Sequence, residues 1–429
     1  MQVELENLGK LERKLTVKIP ADRLDQQFSD RVSRMGREVR LKGFRPGRVP
    51  RAVIEKRYGA QIRNEVLSDL IGSSFREAVE QEQLKPVAAP SINTSGKPEE
   101  GEIAYTATFE VMPELPTVEV AGLQVERPVA EVVDSDVDEM IETLRKQRRT
   151  FEPVERKARA EDMVLFEFEA STSDGRFPEE GRERAGTMLG SGQFNSAVEA
   201  ALEGLAAGDD FALETTFAES FKIEELAGKL SQVKGRVVRV QEPSLPPVDA
   251  AFFKAFGIHD GDEDSFRQEV RSNLERELEA AKVGRLKNAV AQALADSHAD
   301  MELPRVMVVS EARSMAGLDN KATLSEERFH QLEPMARKRV IAGLLFNKIA
   351  QDNQIKVDDR RVGKALAAIA STYEDPEQVV EVYQNNPELM SSLRIRVLEE
   401  QVAEWVAEHA ECGEKTMSFS ELLKPPAMA

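Results

Sequence analysis

The chain has little of what many catalytic and cofactor sites require. Among 429 residues there is a single cysteine, Cys412, which excludes an internal disulfide framework and a multi-cysteine zinc site. One tryptophan and an aromatic content of 6% argue against a large ligand-binding site lined by aromatic residues. The longest apolar run, Val340 to Phe346, suits a protein core and is far shorter than the roughly 18 residues of a membrane span.

Signals for targeting, metal binding and nucleotide binding are also missing. The N-terminal residues MQVELENLGK lack a basic region followed by an apolar stretch, so we predict a soluble cytoplasmic protein with no membrane partner. The four histidines are far apart, and neither a P-loop nor a G-x-S-x-G elbow occurs. We therefore expect no metal and no cofactor, and we assign no catalytic residue.

What the chain has in excess is acidic charge, interrupted by one basic segment. The net charge is -19, yet ten basic residues face only two acidic ones between Arg31 and Arg57. An acidic body with a single basic face should contact a polyanion through that face alone. The ordinary alternative is a solvated helix face, the usual position of a run of charges.

Hydrophobic periodicity predicts a multidomain α+β protein. Apolar residues alternate along a strand that ends near Pro20, and then recur at helical spacing from Leu24 until Gly43 ends the helix. Prolines near residues 113–128 indicate an extended connection. We predict four parts: an α+β domain over 1–112, a linker and short helix over 113–150, a β-rich domain over 151–243, and an elongated all-helical domain over 244–429.

The loop after the first helix carries an unusual octapeptide, Gly43-Phe44-Arg45-Pro46-Gly47-Arg48-Val49-Pro50. Glycines permit tight backbone geometry and prolines stiffen it, so Phe44 can be presented on a rigid tip between two arginines. Such a tip suits a ribonucleoprotein surface, because guanidinium groups pair with phosphates while the ring enters an apolar crevice. The equal alternative is that Phe44 folds inward as a loop anchor.

This octapeptide, together with later segments such as 337–340, 343–345 and 373–376, resembles bacterial trigger factor, a family of nascent-chain chaperones, over the whole chain. The resemblance implies ATP-independent binding of nascent or unfolded polypeptides, help with folding and export, and a homodimer away from the ribosome. It also implies contact with protein and rRNA of the large ribosomal subunit near the exit tunnel. The residues that would make this contact are Gly43, Phe44, Arg45, Pro46, Gly47 and Arg48. Pro46 replaces a lysine that some members carry.

By the same resemblance, the β-rich domain is similar to FKBP-type peptidyl-prolyl cis-trans isomerases, which use a dry aromatic cleft and no cofactor. The implied pocket consists of Phe168, Phe177, Phe217 and Phe221 with Phe194 nearby, although each could equally be an ordinary core residue. The family pattern Ile-Pro-Gly-aromatic is absent, so Val198 occupies the floor position. Val233 also stands where an aromatic residue often lies. We therefore expect weakened isomerase activity.

The helical domain is a candidate surface for unfolded polypeptide. Its methionines, Met307, Met315, Met335 and Met390, offer soft adaptable contacts, although any one of them could simply fill a core. Three functions remain open: a ribosome-docked chaperone with a weakened isomerase domain, a protein that is chiefly a prolyl isomerase, and an RNA-binding ribosome-assembly factor. The residues favour the first, because the altered floor weakens the second and the acidic remainder disfavours the third.

Overall fold

The computed structural model describes residues 1–39, 41, 44, 49–95, 102–318, 323–373 and 375–424. Their contacts divide the chain into two compact units. The first joins Met1–Val129 with Ala281–Met417, and the second joins Ala130–Ala280 with the residues from Ser418 onward. No helix in these ranges combines the length and the apolar character that a bilayer crossing requires.

The first unit begins with an antiparallel sheet of four strands. They lie in the order β1-β2-β4-β3, with the bounds β1 Gln2–Asn7, β2 Glu12–Pro20, β3 Ser91–Ser95 and β4 Glu102–Glu110. The alternation seen in the sequence is confirmed, since Leu15, Val17 and Ile19 are fully buried on one face of β2. The amide of Leu8 donates to the carbonyl of Glu12 at 3.1 Å and closes the predicted hairpin.

Two helices pack on this sheet, α1 Ala21–Glu38 and α2 Arg51–Gln81. The apolar stripe of α1 is buried at Leu24 and Val32, as its periodicity predicts. The helix ends earlier than the predicted Gly43, because Val39 already has an extended backbone while its amide still donates to the carbonyl of Met35 at 2.9 Å. β-Branched residues have a slightly lower helix propensity, so Val39 is compatible with this end point.

The predicted β-rich domain is a six-stranded antiparallel sheet in the second unit. Its main path is β10-β11-β7-β8, with β6 on β11 and β9 on β7; the bounds are β6 Thr150–Val154, β7 Met163–Thr172, β8 Gly175–Phe177, β9 Glu183–Met188, β10 Asp210–Thr216 and β11 Leu230–Ser244. One short helix, α4 Ser196–Leu202, contacts β10. Helices α3 Asp134–Gln147 and α5 Ala250–Ala255 flank this sheet in the sequence.

The C-terminal region is helical, which confirms the predicted class. Its helices are α6 Glu263–Ser297, α7 Arg305–Met315, α8 Glu326–Asp352, α9 Asp359–Ala370, α10 Pro376–Asn385, α11 Pro387–His409 and α12 Phe419–Leu423. The apolar run Val340 to Phe346 lies in the large core of the first unit, with six of its side chains buried. Periodicity did not predict one further strand, β12 Glu411–Thr416, which pairs in parallel with β5 Gln124–Val129.

Candidate functional site

The octapeptide loop lies between α1 and α2, and Phe44 is its one aromatic residue. Phe44 is 40% exposed, and its backbone amide donates to the carbonyl of Leu41 at 3.1 Å. Phe44 is therefore exposed to solvent, whereas an inward loop anchor would be buried. The other residues predicted to dock, Gly43, Arg45, Pro46, Gly47 and Arg48, lie outside the described residues.

The C-terminal base of this loop is held against α1 by close packing. Val49 is only 7% exposed and belongs to the core beneath the N-terminal sheet. A Cβ atom at Gly36 would lie 3.3 Å from the carbonyl oxygen of Val49, tighter than most such contacts. Glycine at this position thus lets the helix and the base of the loop approach each other closely, so the exposed tip starts from a packed base.

Exposed cations follow the two helices that lead into and out of the loop. Arg34 and Arg37 on α1 and Lys56 and Arg57 on α2 are exposed to solvent. Two further arginines of the basic segment make surface pairs, Arg31 with Glu65 at 3.7 Å and Arg51 with Glu55 at 2.6 Å. Exposed pairs of this kind contribute about 0–1 kcal/mol. They are weak enough to exchange for contacts to phosphate.

A second candidate site lies inside the β-rich sheet. The six residues predicted as an isomerase pocket all belong to one hydrophobic cluster: Phe168, Phe177, Phe194, Val198, Phe217 and Phe221. Phe168 and Phe217 are almost completely buried, whereas Phe177 and Phe221 are half-buried near the rim. The ring centroids of Phe217 and Phe221 are 4.5 Å apart. The structure thus brings the predicted residues together, and their role in catalysis stays a prediction.

The sequence places Phe194 beside the predicted pocket, and in the structure its ring lies at the centre of the phenylalanine cluster. Its ring centroid lies 5.2 Å from that of Phe166, 5.4 Å from Phe168, 5.3 Å from Phe221 and 6.1 Å from Phe217. The interplanar angles lie between 84° and 88°, so all four contacts are edge-to-face. Each such pair contributes about 0.5–1.5 kcal/mol beyond the area it buries. We call the four rings around Phe194 the aromatic cleft.

The two positions that depart from the family pattern, Val198 and Val233, are part of the packed core. Both side chains are completely buried in the same cluster as the rings. The helix carrying Val198 keeps an N-terminal cap, because the Asn195 side-chain oxygen accepts from the amides of Ala197 at 3.0 Å and Val198 at 3.2 Å. An asparagine cap stabilises a helix by about 1 kcal/mol. The aliphatic floor is therefore compatible with an intact α4.

Glu199, a buried carboxylate bonded to the loop that carries Phe194, was not predicted from the sequence. Glu199 is 4% exposed and accepts hydrogen bonds from the Thr187 hydroxyl at 2.8 Å and from the amides of Gly190, Gly192 and Phe194 at 3.0, 2.9 and 3.3 Å. Burial by itself raises the pKa of Glu199, but these donors together hold the pKa below its ordinary value. One acidic residue on the short α4, just after a glycine-rich loop, was the signal available in the sequence.

A third feature is an open cavity of about 790 Å³ in the first unit. It lies between β4 and α7, with Phe109, Val306 and Val309 among its lining residues. Both carboxylate oxygens of Glu110 accept from the first amides of α7, those of Arg305 and Val306, at 3.0 Å each. A carboxylate at a helix N-terminus is favoured by the helix dipole. This contact ties the end of β4 to α7 beside the cavity.

Within the ranges that the structure covers, no three His, Cys, Asp or Glu side chains are grouped so that they could hold a metal ion.

Comparison with known proteins gives a consistent match. The family model described as bacterial trigger factor protein matches residues 1–144 of this sequence. The family model of the trigger factor C-terminus matches residues 264–408. A trigger factor from Xanthomonas campestris pv. campestris is 41% identical over 99% of this chain and 100% of its own length. One from Stenotrophomonas maltophilia is 40% identical with the same coverage.

A solved structure of the trigger factor chaperone, from work on promiscuous substrate recognition, covers 95% of this chain and 99% of its own, with 17% identity and a TM-score of 0.47. The assignment depends on the sequence relatives, whose identity extends over the whole chain. The two family models together match the regions on both sides of the β-rich sheet. The chain belongs to the bacterial trigger factor family of ribosome-associated chaperones.

Proposed function

We propose that this chain docks on the large ribosomal subunit near the exit tunnel through Phe44 and the basic helices beside it. The observation that carries the proposal is the 40% exposure of Phe44 on a chain whose net charge is -19. The acidic surface keeps most of the molecule away from rRNA, so approach is productive only through the basic segment. Gly43, Arg45, Pro46, Gly47 and Arg48 would make the remaining contacts, with the arginines on phosphates.

The second part of the proposal is that helices α9–α11 and the cavity beside α7 hold unfolded segments of nascent chains. Helix α10 buries no residue, and Tyr373, Val382, Leu389 and Ile395 are between 36% and 60% exposed. Dispersed apolar side chains in a charged frame permit many weak contacts without sequence preference. The four methionines named above are half-buried, which is compatible both with core packing and with adaptable contacts at the surface.

The third part is a weakened peptidyl-prolyl isomerase activity in the aromatic cleft. The barrier to X–Pro isomerisation is roughly 20 kcal/mol and comes from amide resonance. Apolar walls favour the twisted amide, because its carbonyl has lost conjugation and the site excludes water. Val198 and Val233 have no aromatic ring, so they offer a prolyl group less apolar surface than aromatic residues would. The activity needs no metal or cofactor, and we place the protein in the cytoplasm, with a homodimer as its state off the ribosome.

Ribosome co-sedimentation of Phe44→Ala and Arg45→Ala variants tests the docking proposal. We expect both variants to lose most of the bound fraction at physiological salt, whereas Arg182→Ala, an exposed arginine of the β-rich domain, keeps it.

Suppression of aggregation of a denatured client by the same proteins reports on the chaperone part, and all three should retain it. Full ribosome binding by both loop variants contradicts the docking assignment. Tight binding to naked RNA would favour the assembly-factor alternative, and absence of aggregation suppression would contradict the chaperone part.

A further inference from the structure

The most unusual arrangement in the molecule is a phenylalanine occupying the cleft that its own domain would offer to a substrate. Three of the rings in contact with Phe194, those of Phe168, Phe217 and Phe221, are residues that family resemblance assigns to the pocket wall. A phenyl ring is at least as large as the pyrrolidine ring of proline. A prolyl residue therefore cannot enter among these walls while the Phe194 ring remains there.

The loop that carries Phe194 contains two glycines whose backbone conformation other residues rarely adopt. Gly190 and Gly192 have φ angles of +85° and +66°, in the region that glycine adopts readily. A Cβ atom added at either glycine would meet nothing within 4 Å, so these positions lie in open space. Phe194 itself is half-buried. Outward movement of its ring, which the proposal below requires, would occur through this loop, where the two glycine positions are not packed against neighbouring atoms.

The same loop is tied down by one buried group. Glu199 accepts from the amides of Gly190, Gly192 and Phe194, and more weakly from the Ser191 hydroxyl at 3.4 Å. Its other partner, Thr187 on β9, is completely buried and fixes the carboxylate in the sheet. Charge-assisted hydrogen bonds are roughly twice as strong as neutral ones. Glu199 thus holds the loop in the position in which the ring fills the cleft.

We propose that Phe194 is a resident plug of the aromatic cleft, that Glu199 is the positioning residue that keeps it inserted, and that a proline-containing peptide binds only after the ring has moved out. This inference rests on the proposed isomerase function. Phe194 then determines which substrates are accepted. A peptide must supply enough apolar contact to replace four edge-to-face ring contacts, so a prolyl residue flanked by large apolar side chains is favoured over an isolated one.

The physical consequence is a reduced apparent affinity. If the open form is about one tenth or less of the population, removing the plug raises the apparent affinity about tenfold or more. This gain is distinct from the effect of the aliphatic floor, which lowers the affinity of the open form itself. The two contributions can therefore be separated by substitution at residue 194 with Val198 left unchanged.

The test uses the full chain and the tetrapeptide Ala-Phe-Pro-Phe as a probe. Binding is measured by titration calorimetry, and cis-trans exchange of the peptide by NMR. We expect Phe194→Ala to bind the probe about tenfold more tightly than the unaltered chain. Phe256→Ala provides the matched control, since it removes a half-buried ring that contacts Phe252 and Phe266 outside the cleft. This control should leave the affinity unchanged.

A second variant guards against collapse of the enlarged cleft. Phe194→Met keeps a bulky apolar side chain that is more flexible than the ring, and it should increase the affinity by a smaller factor than Phe194→Ala. Glu199→Gln should also increase the affinity, because a neutral amide holds the loop less firmly and the unaltered Phe194 ring can then leave the cleft more often. Unchanged affinity in both Phe194 variants, with the domain folded in at least Phe194→Met, overturns the plug. Loss of folding in both also overturns it, because the ring would then be a structural core residue.

The outcome separates the plug from the function on which it rests. Tighter binding by Phe194→Ala without faster exchange supports the plug and contradicts the isomerase activity. Efficient exchange by the unaltered chain with no gain in Phe194→Ala supports the isomerase and overturns the plug. Client aggregation is suppressed in either case if the chaperone part is correct.

Discussion

Phe44 and Phe194 both lie in loops, yet the molecule treats them in opposite ways. Phe44 is 40% exposed and follows a helix with exposed arginines. Phe194 contacts four other rings at 5.2 to 6.1 Å between centroids. Phe44 is thus exposed to solvent, whereas the Phe194 ring makes its contacts inside its own domain. The surroundings of each phenylalanine, more than its residue type, underlie the different roles that we propose for the two.

The comparison implies that the two sites can be damaged separately, and Gly235 gives the largest effect. A Cβ atom there would lie 2.5 Å from both the Glu167 carbonyl oxygen and the Phe211 ring. We expect Gly235→Ala to destabilise the β-rich domain by about 3 kcal/mol, near the upper end for overpacked interiors. Hydrogen exchange of the β7 and β11 amides measures this loss, and ribosome co-sedimentation should stay unchanged.

The matched control for that change is Gly186→Ala, where the nearest atom to an added Cβ is a Leu165 methyl carbon at 3.5 Å, an ordinary contact. In this variant the sheet amides should exchange their hydrogens at about the same rate as in the unaltered chain. If Gly235→Ala were as stable as Gly186→Ala, the close contact at β7 would be relaxed at little cost. If Gly235→Ala lost ribosome binding, the β-rich domain and the Phe44 site would be coupled.

A smaller effect is expected from Glu199→Gln, and it depends on pH. At neutral pH we expect a loss of about 1–3 kcal/mol, because three amides and a hydroxyl exchange a charged acceptor for a neutral one. The folded pKa of Glu199 lies below the unfolded value of about 4.3. The stabilisation by the carboxylate is therefore complete above that value and is lost as the pH falls through the folded pKa.

The difference in unfolding free energy between the two proteins should consequently shrink on acidification from pH 7 towards pH 3. Urea unfolding of the β-rich domain at a series of pH values measures it, with Glu203→Gln, on an exposed residue just beyond α4, as the matched control. A constant difference across this range would show that the charge of Glu199 contributes nothing to holding the loop.

The smallest effect belongs to single cations near Phe44. Arg34→Ala and Arg37→Ala should each weaken ribosome binding modestly. Each should also reduce the magnitude of the negative slope of log K against log salt concentration by about 1. Stability should change by less than about 0.5 kcal/mol, because both side chains are exposed. Sedimentation at several salt concentrations gives the slope, with Arg182→Ala as the control. An unchanged slope in both variants would place the phosphate contacts elsewhere in the basic segment.

Local patterns accounted for most elements of the fold. Alternation identified β2, and helical spacing identified α1, because each pattern is read from neighbours a few residues apart. The strand β12 was missed because its partner β5 is remote in the sequence. Glu411 pairs with Gln124, and the Gln124 side-chain amide donates to the Glu411 carboxylate across 287 positions. Nothing in six residues rich in polar side chains indicates such a pairing in advance.

The candidate sites divide in the same way. The octapeptide, the basic segment and the set of phenylalanines could all be read from residue types, because charge, ring and turn chemistry are local properties. That Phe194 lies among the other rings, and that Glu199 fastens its loop, was decided by folding. Both facts require side chains from β7, β9, α4 and the residues around Phe217 to meet in space. The order of residues determined which groups were available, and the packing of distant segments determined which of them is left facing the solvent.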